Sequence, residues 1–62
     1  MIKIGNVYEN INGEFYKILN KIDDDIYLVE NIKSKWTCEA YGIEEKENNK
    51  IEWDYSAHGY FK

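Results

Sequence analysis

The sequence has no arginine, no proline, one cysteine and one histidine. Each scarcity removes a class of function. Arg supplies the bidentate contacts to phosphate and guanine on which most nucleic-acid binders rely. Here all eight basic residues are Lys, set against twelve acids, for a formal charge of −4. The basic stripe of a nucleic-acid binder is missing, so nucleic acid is disfavoured as a partner. Cys38, alone, forms no intrachain disulfide. One Cys and one His cannot supply the four protein ligands of a structural zinc site. No segment approaches the ~20 apolar residues that cross a bilayer. The opening "MIKIGNVYEN" lacks the basic start and apolar run of a secretory signal. The expected location is the cytoplasm, with no membrane partner and no cofactor.

The chain has 62 residues, which allows one domain, 1–62. A domain of about 60 residues buries only about 60% of the surface its unfolded chain exposes. Aromatic side chains fill so small a core efficiently, each burying roughly 150–250 Å². The sequence is 16% aromatic, so core packing is the first explanation for its Trp, Tyr and Phe residues.

Turn signals stand at "NING" (10–13), "DDD" (23–25), "KSK" (33–35) and "KENNK" (46–50). Asn, Asp, Gly and Ser favour turns because they tolerate left-handed backbone or hydrogen-bond to it locally. The runs between them are β-branched and aromatic. They predict five strands: 4–9, 14–21, 26–32, 36–42 and 50–55. In "IEWDY" the alternation puts Ile51, Trp53 and Tyr55 on one buried face. In "WTCEAY" it puts Trp36, Cys38 and Ala40 inward, with Thr37, Glu39 and Tyr41 opposite. "FYKIL" and "IYLV" are apolar on both faces; the expected inward residues are Tyr16, Ile18, Ile26 and Leu28. Tyr27 and Val29 are then left outside, beside Phe15. "GIEEKENNK" could hold one helical turn. The expectation is all-β: a small five-stranded antiparallel meander closed into an SH3-like barrel, which removes exposed strand edges.

The opening "IGNVYENINGEFYKIL" resembles the start of many small SH3-like barrels, and "NIKSKWTCEAYGI" and "IEWDYSAHGYF" resemble short proteins of phages and prophages of low-GC Gram-positive bacteria. The resemblance spans nearly the whole chain. Its most specific residues are Lys33, Ser34, Trp36, Thr37, Ala40, Gly42, Ile43, Trp53, Asp54, Tyr55, Ser56, Gly59 and Phe61. It implies a phage-type accessory protein and brings no activity, cofactor or catalytic residue with it.

The chemistry-bearing residues are few. Nucleophilic catalysis needs a base within reach of the nucleophile and a group to orient it. His58 has no evident partner beyond Ser56 and Cys38, so an enzyme is not expected. Asp23, Asp24 and Asp25 lack the Gly turn and closing Glu of a calcium loop, and no metal site is expected. For the aromatics, one reading places Trp36, Trp53, Tyr55 and Phe61 in the core. The other has Tyr8, Tyr27, Tyr41, Tyr55, His58 and Tyr60 lining an exposed groove that binds a peptide.

Three functions follow. The first is a non-catalytic protein-interaction module, with a homodimer as one form of partnership. The second is an acidic anti-defence inhibitor that occupies the basic channel of a host nucleic-acid enzyme. The third is a small-ligand or single-stranded nucleic-acid binder that stacks on aromatics, with Lys33, Lys35 and Trp36 as its cluster.

Overall fold

The computed structural model describes the backbone of residues 1–61 and the side chains of residues 1–57. It is all-β among the described residues, with strands β1 (Val7–Asn10), β2 (Phe15–Asp23), β3 (Ile26–Asn31), β4 (Trp36–Tyr41), β5 (Glu44–Lys46), β6 (Lys50–Glu52) and β7 (Tyr55–Phe61). They form one sheet in the order β5-β6-β1-β2-β3-β4-β7. The centre, β1 to β4, is the expected antiparallel meander. The rest corrects the expectation in number and pairing. There are seven strands rather than five, and β6 runs parallel to β1.

The segment expected to hold a helical turn is a hairpin of β5 and β6. Its turn is made by Asn48 and Asn49, both at φ 62°, a left-handed conformation that Asn tolerates better than most residues. Asn49 carries the hairpin back to β1, accepting from Glu9 N at 3.1 Å and donating from its side chain to Val7 O at 3.2 Å.

The expected strand 50–55 breaks at Trp53 and Asp54. Asp54 N donates to Tyr41 O at 2.8 Å, which pulls the chain across to the far edge of the sheet. This corner determines the curvature. In a flat sheet β6 and β7 would lie five strand spacings apart, about 24 Å. The three Cα steps from Glu52 to Tyr55 reach at most about 11 Å. The sheet must therefore curl until its two sides approach, and it forms a half-barrel with open edges at β5 and β7. The expected closure does not occur. Edge strand β5 is three exposed residues, "EEK". Lys46 Nζ there bridges Glu44 at 3.1 Å and Glu52 at 3.6 Å. A short, charged edge of this kind resists pairing with other chains.

Two bulges on β2 add to the curl. Ile18 pairs with Val29 but Asn20 pairs with Leu28, so Leu19 is an extra residue; Ile22 is extra in the same way between Lys21 and Asp23. Bulges bend a strand and increase its twist. They also shift which side chains of β2 lie opposite each face of β3, while the phase of β3 itself is set before the first bulge. Directly opposed residues share a face, so Ile18 takes Val29 inward with it. Val29 is fully buried and Tyr27 is 8% exposed, while Ile26 and Leu28 are half-buried on the other face. The expected assignment for this strand is reversed.

The core is Tyr8, Ile18, Tyr27, Val29, Ala40, Ile43 and Ile51, with Ile2, Tyr16, Cys38 and Trp53 packed against it. It is mostly aliphatic. Trp36 is 53% exposed and Tyr55 59% exposed, so neither fills the core as the aromatic-core reading required. Both sit at strand ends, where the sheet offers little to cover them. Phe61 lies outside the described side chains. Trp53 is half-buried, its ring edge-on to Tyr16 (centroids 4.9 Å, 86°) and its indole Nε1 donating to Ser56 Oγ at 2.8 Å. Ala40 and Cys38 do face inward. Thr37 is buried too, a short side chain in register with the longer Glu30.

Buried Asn10 and Asn31 hold the loops at one end. Asn31 Oδ1 accepts from Lys33 N (2.9 Å) and Ser34 N (3.0 Å), and its Nδ2 donates to Glu14. Asn10 Oδ1 accepts from Asn12 N at 3.1 Å.

Candidate interaction surface

Register places two rows of side chains on the outer face of the sheet, away from the core. One is Asp23, Ile26, Tyr41 and Tyr55; the other is Asn20, Leu28, Glu39 and Ala57. Tyr41 and Tyr55, opposed across β4 and β7, stack with centroids 4.8 Å apart and planes 9° from parallel. Two flat rings pair well at such a site because each lies on the outer side of the pleat at the same register.

The Tyr41 hydroxyl donates to Glu39 Oε1 at 3.0 Å. That hydrogen bond raises the Tyr41 phenol above its ordinary value; desolvation and the charges of Glu39 and Tyr55 act in the same direction. The phenol therefore stays neutral and keeps donating at physiological pH. Gly42 follows at φ +71°, and the Asp54 carboxylate occupies the space that a Cβ there would need. Asp54, next in sequence to Tyr55, thus sits against the chain just beyond Tyr41. Gly42, Asp54 and Tyr55 meet here, with Trp53 and Ser56 joined by their hydrogen bond.

The expected groove residues divide. Tyr41 and Tyr55 come together and are accessible. Tyr8 is buried, its hydroxyl accepting from Lys3 N at 3.0 Å, and Tyr27 is buried with it; neither ring belongs to an exposed groove. His58 and Tyr60 lie outside the described side chains. Ile26 and Leu28 belong to the outer face and were missed, because β3 is apolar on both faces and only its pairing of Val29 with Ile18 reveals the phase.

Two clefts lie elsewhere. One, of about 580 Å³, is bordered by Met1, Asp24, Tyr27, Ile43, Glu45 and Glu47. The other, of about 320 Å³, lies between Phe15 and Ile32, with Glu14, Asn31 and Lys33 at its rim. Exposed Trp36 stands beyond the 32–35 turn, with Lys35 immediately before it. Among the described residues no three His, Cys, Asp or Glu side chains gather as a metal-ligand group. No helix is long and apolar enough to cross a membrane. No family model, no curated protein and no solved structure matches the chain.

Proposed function

We propose that the protein is a non-catalytic protein-interaction module, a phage or prophage accessory protein acting in the cytoplasm on a variant of the SH3-like barrel. The observation that carries this reading is the stacked Tyr41–Tyr55 pair. It lies on a sheet face that the core does not use, continuous with Ile26 and Leu28. Tyr is well suited to such contacts, with a large rigid ring and a polar tip. Large exposed aromatics commonly anchor interfaces.

The test is affinity capture from the native host before and during phage infection, using the wild type and a Tyr41→Ala/Tyr55→Ala double variant with an unchanged melting curve. Loss of the captured protein in the double variant supports the reading; equal capture sinks it. A second copy of the chain is one candidate partner, and sedimentation at rising concentration detects it. The anti-defence reading draws on a separate observation, that Asp24, Glu45 and Glu47 border one cleft, together with Lys46 and the Met1 ammonium, which pairs with Glu45. It requires binding to a basic enzyme channel that weakens steeply with salt. Exposed Trp36 beside Lys35 keeps the stacking reading open to an electrophoretic shift assay with single-stranded RNA or DNA.

A further inference from the structure

Within the interaction-module reading, we infer that the Tyr41–Tyr55 face takes an arginine side chain of a basic partner segment. The argument begins with the rings. Tyr41 covers one face of Tyr55, and Tyr55 is 59% exposed, so its second face is available to a flat group. A guanidinium is planar, weakly hydrated and stacks on aromatic faces, whereas an ammonium is a compact, strongly hydrated point charge.

The surroundings supply charge of the complementary sign. Glu39 reaches the Tyr41 hydroxyl. Asp54 lies against the backbone at Gly42. Asp23 lies in the same cross-strand row beyond Ile26, three strand spacings or about 14 Å from Tyr55, and adds to the negative potential of this side without touching the rings. Among the described residues, Lys17 of the outer face stands opposite Glu30 in a different row. A ring stack bordered by carboxylates favours a cation on the ring face and donors toward the rim. The chain itself has no Arg, so a second copy cannot supply the group.

The experiment uses the whole protein and two capped synthetic peptides that differ only in carrying four Arg or four Lys. Binding is followed by NMR shifts at low and physiological salt. The expected result is tighter binding of the Arg peptide, with the largest shifts at Tyr41, Tyr55 and Glu39. Tyr55→Ala, an exposed substitution, should weaken the Arg peptide about 2- to 5-fold, the equivalent of an exposed cation–π contact, and should abolish its advantage over Lys. Tyr55→Phe should retain that advantage. Glu39→Gln should weaken both peptides. Equal binding of the two peptides, insensitivity to Tyr55→Ala, or shifts confined to the Asp24, Glu45 and Glu47 cleft would overturn the inference. Those outcomes leave the interaction-module reading intact if host-protein capture is still lost in the double tyrosine variant.

Discussion

The inner and outer faces of β3 and β4 are built from nearly the same residue types and end in opposite environments. Inside stand Tyr27, Val29, Cys38 and Ala40; outside stand Ile26, Leu28, Glu39 and Tyr41. Hydrophobicity does not separate the two sets. A Leu and an Ile face partly outward while a Tyr is buried. The difference comes from register: inward Ile18 of β2 pairs with Val29, and the unbroken alternation of β3 then turns Tyr27 inward and Ile26 and Leu28 outward. A one-residue shift moves every side chain of a strand to the other face. Position in the ladder, rather than side-chain character, decides which tyrosine packs and which can bind.

The strongest way to break this contrast is a paired charge insertion. Val29→Lys places an ammonium in the fully buried core, while Leu28→Lys can reach solvent from the next position. Domains hold only about 5–15 kcal/mol in total, and a buried unpaired charge costs several. Val29→Lys should show no cooperative melt; Leu28→Lys should melt cooperatively. The reverse order would mean that the faces are exchanged.

Truncations give the same contrast in graded form. Ile18→Ala should cost about 2–5 kcal/mol, as at other buried aliphatic sites. Ile26→Ala on the outer face should cost under about 1 kcal/mol. Urea midpoints measure both. Trp53→Ala falls between them at about 2 kcal/mol, since its ring is half-buried but contributes the edge contact with Tyr16. A Trp53→Ala loss equal to that of Ile18→Ala would place the indole in the core proper.

Glycines sharpen the picture at the corner. Gly13 and Gly42 both have positive φ, but only Gly42 has a side chain, Asp54, where a Cβ would go. Gly13→Ala should cost about 1–2 kcal/mol from backbone conformation alone. Gly42→Ala should cost more, because Asp54 must also move. Equal losses would show that Asp54 yields freely.

The smallest effect is in alkali. The folded-state pKa of Tyr41 is raised, so its contribution is fully present below the ordinary tyrosine value, near 10. It is lost as pH rises through the higher folded value. Lys46, raised chiefly by its hydrogen bond to Glu44, has the same sign in the same window. Chemical denaturation between pH 9 and about 11 should therefore show falling stability, with a shallower fall in Tyr41→Phe. An unchanged slope in that variant would remove Tyr41 as a contributor.

Much of the fold is legible in the residues. The "NING", "DDD", "KSK" and "KENNK" segments each contain a turn in the structure, and the second to fourth strands fall close to their expected bounds, while the first starts three residues later than expected. The hairpin of β5 and β6 is hidden because "GIEEKENNK" carries little β-branched character, and its pairing with β1 is long-range. Within the candidate surface, Tyr41 stands out from the polar neighbours Thr37 and Glu39. Its partner Tyr55 is a groove candidate by residue type, but alternation assigns it to the buried face, because the corner at Trp53 and Asp54 interrupts an otherwise clean pattern.

The sequence by itself determined the all-β class, the turns and the lack of any arginine in these 62 residues, because these depend on composition and on local backbone preference. The tertiary structure decided which face of each strand is buried, that the sheet curls without closing, and that Tyr41 and Tyr55 stack in acidic surroundings. Those features depend on ladder register, and register is set by bulges and by pairing between residues far apart in the chain, such as Asn10 with Ile51 and Tyr41 with Tyr55.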